Sequence, residues 1–239
     1  MHQDTWITLR PEEILRDPCT ENEAGAFSHA PKWFIFALSE RMSGVNPGKT
    51  ISHDEINALP LKAFMGDIQL VTKAAHLHDV FTEIQKHEVV GFDTETKPAF
   101  VKGQVFKVAL LQLAIPEKVF LIRLNFTGLT KEITTFFENE NVIKAGVGLR
   151  DDIKTLHRLG KFTPAGFAEL STMARETGLE VESVKKLTAL LLGFRISKGA
   201  QTSNWEAEQL NEKQVVYAAT DAWVCLEIYK KLKSGISRH

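Results

Sequence analysis

The sequence predicts an α/β protein with a mixed β-sheet flanked by helices. Apolar runs of strand length occur at 68–72, 88–93, 105–114, 118–124 and 142–147. Segments with apolar residues at three- and four-residue spacing lie between and after these runs. The strands come first as a meander and then alternate with helices, an order that is typical of a mixed sheet with helices on its faces.

The individual elements follow from the periodicity of their apolar residues. The runs at 88–93 and 142–147 are short and mostly apolar, as buried central strands are. Helical spacing predicts five helices, at 75–86, 129–138, 149–159, 184–192 and 212–233. The chain from residue 63 to residue 239 is therefore predicted to be one domain.

Residues 1–62 have a different composition and are interpreted as a loosely structured N-terminal extension. Gly, Pro and Asn interrupt this segment, and only 33–42 has the pattern of a short helix. The stretch GVNPGKT at 44–50 is similar to a phosphate-binding loop, but three residues separate Gly44 from Gly48 where that motif needs four. A solvated turn is the favoured interpretation.

Composition and charge limit the classes of protein to consider. No apolar run approaches the length of a membrane span, and the first twenty residues contain acids where a targeting peptide would carry bases. We therefore expect a cytoplasmic protein that does not enter a membrane. The net charge is −1, but residues 63–239 contain 23 bases and 21 acids. That balance permits a partner with a phosphate backbone without demanding one.

The stretch VVGFDTET at 89–96 places two carboxylates at the end of an apolar strand. Alternate residues of a strand point to the same face, so Asp93 and Glu95 are expected to project side by side. Two like charges at such a position are unfavourable unless one is protonated or a cation lies between them. A single Asp-x-Glu is weak evidence for a site, and further acids are needed.

The stretch KAGVGLRDDIKTL at 144–156 contributes another acid at the start of a predicted helix. Its glycines resemble part of a dinucleotide-binding loop, but Asp151 occupies the third glycine position, where an acid would repel a pyrophosphate. No nucleotide cofactor is therefore expected. Asp152 lies in the first helical turn, where the helix dipole alone also favours an acid. Asp151 is interpreted as a capping or solvated residue.

The stretch YAATDAW at 217–223 lies inside the last predicted helix. Tyr217 and Asp221 are four residues apart and therefore share one helix face. Apolar neighbours indicate that this face is at least partly buried. A buried Tyr or Asp considered alone is more often a satisfied core group than a catalyst.

Taken together, four carboxylates from separate elements suit a hard divalent cation such as Mg²⁺ or Mn²⁺. The candidate ligands are Asp93, Glu95, Asp152 and Asp221, with Tyr217 beside them. Two such ions can generate a hydroxide and stabilise the leaving oxygen of a phosphoryl displacement. A cation site thus explains the acidic end of the first central strand.

The stretches FDTE, GVGLRDD and YAATDA, in this order, resemble the three motifs of the DEDD superfamily of 3′–5′ exonucleases. The likeness is to the subgroup whose third motif is Tyr-x-x-x-Asp, which includes ribonuclease D and the Werner syndrome protein exonuclease domain. It covers about residues 66–233, and VALLQLA at 108–114 and SNW at 203–205 are also similar. The ordered set is far more specific than any one motif.

The resemblance implies a ribonuclease-H-like fold and a two-metal-ion hydrolysis of the terminal 3′ phosphodiester, releasing nucleoside 5′-monophosphates. Asp93, Glu95, Asp152 and Asp221 would bind the metals, and Tyr217 would orient the attacking water. The expected substrate is nucleic acid, DNA or RNA, with single-stranded 3′ ends or frayed duplex ends. The alternative is a noncatalytic nucleic-acid-binding module of the same fold, which would ordinarily have lost at least one acid.

Substrate contacts are less clearly indicated. Six bases near the motifs are candidates for binding backbone phosphates: Lys97, Lys102, Arg150, Lys154, Arg195 and Lys198. Charges at such positions are equally consistent with a solvated face. Phe92 and Leu149 are near the motifs too, but their apolar surroundings favour core packing.

Overall fold

A mixed sheet of seven strands lies at the centre of the protein, in the order β1-β2-β5-β4-β3-β6-β7 among the described residues. The structure is a computed structural model that describes residues 7–9, 50–101 and 103–236. The strands are β1 (Ile7–Leu9), β2 (Asp67–Val71), β3 (Val89–Thr96), β4 (Val108–Ile115), β5 (Lys118–Arg123), β6 (Ile143–Gly146) and β7 (Phe167–Glu169). Strands β3, β4 and β5 form the antiparallel meander that the sequence predicts. Strands β6 and β7 extend the sheet in parallel beside β3.

Eight α-helices accompany this sheet in the part of the chain that the structure describes. They are α1 (His53–Ala58), α2 (Leu77–Ile84), α3 (Leu124–Thr127), α4 (Lys131–Glu138), α5 (Leu149–Leu156), α6 (Leu170–Glu176), α7 (Val184–Leu192) and α8 (Glu212–Ile236), with a 3₁₀ turn at Ala74–His76. None of the described helices has the length and apolar character that a membrane crossing requires.

Helices cover both faces of the sheet, which is why its central strands are mostly apolar. All eight residues of β4 are buried. Its residues Leu111 and Leu113 pack with α2 and α4, whereas Leu110 and Ala114 pack with α8 on the opposite face. Each face of β4 therefore has its own layer of core, as is typical of a sheet between two layers of helices.

The fold class predicted from the sequence is confirmed, and several short elements are additional. The five predicted strands and five predicted helices are present, with ends shifted by a few residues. Strands β1 and β7 have three residues each, and α3 is a single turn, so none is long enough to show a period. The predicted helix at 33–42 and most of GVNPGKT lie outside the described residues.

Several of the described residues before 63 contact the rest of the protein. Strand β1 pairs antiparallel with β2. Residues just before the predicted boundary bond to Arg195: its backbone N–H donates to the Pro60 carbonyl, and its Nε donates to the Leu59 carbonyl. The domain boundary at residue 62 stays a prediction.

Candidate metal centre

Strand β3 carries Asp93 and Glu95 beyond the end of its parallel neighbour. It pairs with β4 along most of its length, but with β6 only from Val89 to Gly91. The two acids therefore lie where the sheet loses one strand and opens on that side. Because residues 91, 93 and 95 alternate onto one face of the strand, the acids share the face on which α8 packs.

Helix α8 reaches these acids because Gly91 has no side chain. A Cβ atom at Gly91 would overlap the carbonyl oxygen of Ala222 and crowd the backbone of α8. Glycine thus permits helix and strand to touch directly at this point. The contact places Asp221, the residue before Ala222, against Asp93, two residues beyond Gly91.

Three carboxylates meet at this contact. One oxygen from each of Asp93, Glu95 and Asp221 can be chosen so that all three lie within 4.8 Å of one another. Asp221 is 4% exposed, and its Oδ1 is buried without a hydrogen-bond partner among the described residues. An all-oxygen donor set with an unpaired buried oxygen fits a hard divalent cation.

Without a cation, the carboxylates of this cluster have raised pKa values and therefore hold protons more tightly than exposed carboxylates do. Burial, followed by the neighbouring Asp221, Asp152 and Glu95, raises the pKa of Asp93. Burial, followed by the neighbouring Asp221 and Asp152, raises the pKa of Glu95 to about 9. Burial also raises the pKa of Asp221 to about 6, opposed by Tyr217 and Lys185. A divalent cation would replace these protons with a charge that all the carboxylates share.

Asp152 lies beside the three carboxylates but is held by a different partner. It projects from the first turn of α5, and its Oδ1 accepts a hydrogen bond of 2.7 Å from Thr94 Oγ1, between the two acids of β3. Burial raises its pKa to about 6, which the bond from Thr94 opposes. It is outside the group that meets within 4.8 Å, yet its charge acts on Asp93 and Glu95.

The neighbouring Asp151 is exposed and does not cap the helix with its side chain. The backbone N–H of Leu149 instead donates to Glu169 Oε2 at 2.9 Å. Glu169 ends β7 next to Gly146, so it fixes the start of α5 and thereby the position of Asp152. The capping part of the interpretation of Asp151 is wrong, and the solvated part is confirmed.

The contrast between these adjacent acids gives a direct test. We expect Asp152→Asn to lower the cleavage rate by at least about 100-fold, because the substitution removes a charge beside Asp93 and Glu95. Asp151→Asn should stay within about twofold of the parent, as substitutions of solvated residues usually do. Initial rates on a 5′-labelled oligonucleotide measure both, and equal losses in the two variants would contradict the assignment.

Tyr217 lies one helical turn before Asp221 and is 7% exposed. Burial, followed by the Asp221 carboxylate, raises the pKa of Tyr217, so its hydroxyl remains a neutral donor. Its ring lies 6.1 Å, centroid to centroid, from that of Trp205, which is fully buried. Trp205 of the SNW stretch therefore packs beside the ring of Tyr217.

Sequence reasoning missed a cation beside this cluster. Lys185, at the start of α7, is partly buried and lowers the pKa of both Glu95 and Asp221. Its Nζ donates to Gln201 Oε1 at 3.3 Å. The sequence does contain a sign of an unusual role for Lys185. Lysines at 185 and 186 lie at a helix N-terminus, where the helix dipole disfavours positive charge.

The predicted phosphate-binding bases have varied surroundings. Lys97 lies 3.7 Å from Glu206 and over the ring of Phe106. Arg150, Lys154 and Lys198 are exposed, Arg195 bonds to Leu59, and Lys102 lies outside the described residues. Phe92 and Leu149 are buried in the core, which confirms the packing role expected for them.

Comparison with known proteins identifies the family. A family model described as 3′–5′ exonuclease matches residues 68–237, from β2 to the end of α8. The chain belongs to the 3′–5′ exonuclease family. The match includes all five candidate site residues, and the resemblance inferred from the three motifs is confirmed.

Relatives within the 3′–5′ exonuclease family include large proteins. The mouse bifunctional 3′–5′ exonuclease/ATP-dependent helicase WRN is 33% identical over 184 residues, which cover 73% of this chain and 13% of that protein. Ribonuclease D of Bartonella henselae is 24% identical over 187 residues, covering 76% of this chain and 45% of that protein. The chain thus spans less than half the length of these curated relatives.

Solved structures agree on the 3′–5′ exonuclease fold. The Escherichia coli RNase D structure aligns with a TM-score of 0.65 at 19% identity, over 72% of this chain and 45% of that one. The Aedes aegypti Nibbler EXO domain aligns with a TM-score of 0.63 at 23% identity, over 72% and 89%. At such identities the likeness concerns the fold.

Proposed function

We propose that this chain is a metal-dependent exonuclease that hydrolyses the terminal 3′ phosphodiester of DNA or RNA and releases nucleoside 5′-monophosphates. The observation that carries the proposal is the meeting of Asp93, Glu95 and Asp221 within 4.8 Å, with a buried unpaired oxygen on Asp221. The family match supports the direction of cleavage, from the 3′ end.

The four acids Asp93, Glu95, Asp152 and Asp221 would hold two divalent cations, Mg²⁺ or Mn²⁺. When bound, such ions activate the attacking water and stabilise the leaving oxygen of an in-line displacement. The chain contributes the ligands and keeps them fixed. Thr94 orients Asp152, and the contact at Gly91 holds Asp221 against β3.

Tyr217 and Lys185 supply the remaining polar groups of the site. The neutral Tyr217 hydroxyl can accept from the attacking water while donating to a carboxylate, and so fixes the direction of attack. The charge of Lys185 interacts with Asp221 and Glu95 and partly balances theirs. That position suits contact with a non-bridging oxygen of the scissile phosphate.

The substrate proposed is a single-stranded 3′ end or a frayed duplex end. The segment between β3 and β4, which begins two residues after Glu95, exposes Phe100, Val101 and Val105, of which Phe100 is 83% exposed. Exposed aromatic rings beside a nuclease site offer stacking surfaces for unpaired bases. A continuous duplex would not present its bases in this way.

We therefore expect Phe100→Ala to weaken binding of a single-stranded oligonucleotide by about 5–150-fold, since stacking contributes about 1–3 kcal/mol per base. The measurement is fluorescence anisotropy with the inactive Asp93→Asn protein. Met65→Ala is the matched control, because Met65 is also exposed but lies beside the β4–β5 turn at the other end of the sheet. An abasic oligonucleotide should bind both variants equally, and a loss with that ligand would argue against stacking.

The proposed reaction is tested by a gel time course with 5′-labelled single-stranded DNA and a matched RNA. With Mg²⁺ or Mn²⁺ we expect a ladder that shortens from the 3′ end, and with chelator no ladder. An Asp221→Asn protein prepared in parallel excludes a contaminating nuclease. Binding without cleavage in both metals would overturn the proposal in favour of a noncatalytic binding module.

A further inference from the structure

Gln112 lies directly opposite Asp93 in the sheet. The antiparallel register of β3 and β4 pairs these two residues. Residues directly opposite in such a pair project onto the same face, with Cβ atoms about 4.5–5.5 Å apart. Gln112 therefore shares the face of β4 on which Leu110 and Ala114 pack with α8.

The side-chain amide of Gln112 is fully buried and has no hydrogen-bond partner among the described residues. Its exposure is 0%, and neither Nε2 nor Oε1 makes a hydrogen bond within the described ranges. A buried amide is destabilising when it is unpaired, and an apolar side chain of the same size would avoid that cost. An unpaired group of this kind in a core requires an explanation.

The residue opposite Gln112 across the strand pair carries a polar group, the carboxylate of Asp93. One of its oxygens, Oδ1, accepts the backbone N–H of Thr94 at 2.9 Å. The glutamine amide has two N–H donors on a chain one carbon longer than that of aspartate, so its reach covers the gap between the two Cβ atoms. Carboxylates that bind metals are commonly held by such hydrogen bonds from outside the ligand set.

We propose that Gln112 is a positioning residue, whose amide donates a hydrogen bond to the Asp93 carboxylate when the centre holds a divalent cation. The proposal rests on the metal-dependent function proposed above. The hydrogen bond fixes the orientation of Asp93 toward the cation and gives the buried amide its partner. Gln112 acts through Asp93 and does not touch the substrate.

The test is Gln112→Met, which keeps an unbranched side chain of similar size and removes the amide. The matched control is Leu113→Met, a neighbouring buried residue of β4 that packs on the opposite face. In chelator we expect the glutamine variant to be as stable as the parent or more stable. A residue with a purely structural hydrogen bond would lose stability instead.

Mn²⁺ affinity, measured by isothermal titration calorimetry on the full chain, is the deciding measurement. We expect Gln112→Met to bind Mn²⁺ about 10–100-fold more weakly, the usual cost of losing such a partner, with Leu113→Met unchanged. In an Asp93→Asn background the effect of Gln112→Met should disappear. Unchanged Mn²⁺ affinity, persistence of the effect without Asp93, or a loss of stability in chelator would each overturn the proposal.

These measurements separate this proposal from the exonuclease function. If the parent protein binds Mn²⁺ but cleaves no oligonucleotide, the proposed exonuclease reaction is wrong. The Mn²⁺ affinities of the variants then still decide the role of Gln112. If the parent cleaves normally and Gln112→Met binds Mn²⁺ with unchanged affinity, the exonuclease reaction stands and the positioning role of Gln112 is wrong. A parent that binds no Mn²⁺ would overturn both.

Discussion

Asp93→Asn is expected to lower the rate of 3′-end cleavage by at least about 10³-fold, which corresponds to roughly 4 kcal/mol of lost transition-state stabilisation. Asp93 lies at the centre of the cluster, since Asp221, Asp152 and Glu95 all act on its pKa. Asparagine has nearly the same shape and no charge, so it preserves packing while removing a ligand. The effect should therefore appear in cleavage and leave the fold intact.

Cleavage and binding must be measured on the same preparation. Initial rates on a 5′-labelled oligonucleotide should fall, while anisotropy should show binding within about threefold of the parent, because substrate affinity arises mainly from backbone and base contacts. Asp67→Asn is the control, since Asp67 is an exposed acid at the distant end of β2, beside Glu117. Cleavage retained above about a tenth of the parental rate would exclude Asp93 from the reaction.

The metal-free protein is expected to lose stability as the pH rises from 5 to 8. Burial raises the pKa of Glu95 to about 9, and those of Asp152 and Asp221 to about 6, each above its unfolded value. The folded state therefore binds more protons than the unfolded state over this interval, so the free energy of unfolding falls with increasing pH. We expect a loss of about 2–5 kcal/mol, or a Tm lower by roughly 5–15 °C.

Divalent cations should reverse this loss, and more strongly at pH 8 than at pH 5.5. A cation must displace the bound protons, so its affinity and the stabilisation it gives both increase as the protons leave. Thermal unfolding with chelator, Mg²⁺ and Mn²⁺ at several pH values measures the effect. Glu95→Gln is the control, because it removes a carboxyl group whose pKa is about 9 and should flatten the dependence between pH 6.5 and 8.5. A metal-free Tm that is flat or rises over this range would contradict the electrostatic account.

The sequence predicted the elements whose signal is local. Strand β4 and the first half of β3 are mostly apolar because helices cover both faces of the sheet, and that burial is visible in composition alone. Helix α7 was predicted with its observed limits, and a glycine follows it at Gly193 in the left-handed region, a common helix end. Helix α1 also had a signal, the capping box of Ser52 and Glu55, inside a segment interpreted as loosely structured.

For the candidate site too, the sequence predicted the relations within one element and did not predict the contacts between elements. Asp93 and Glu95 share a face because strands alternate, and Tyr217 and Asp221 share a face because helices repeat every 3.6 residues. These relations hold within one element and follow from its sequence. Which elements meet is a property of packing, and here it depends on Gly91, where a side chain would have kept α8 away from β3.

The sequence by itself determined the fold class, the family and the acids that belong to one site. Only the tertiary structure decided that three of these carboxylates meet while Asp152 bonds to Thr94, that Glu169 fixes the start of α5, and that Lys185 and Gln112 lie beside the acids. The physical reason is that burial and charge act through space. Residues from different elements change each other's pKa and hydrogen bonding only once packing brings them together. No local sequence pattern predicts the distance between two such residues.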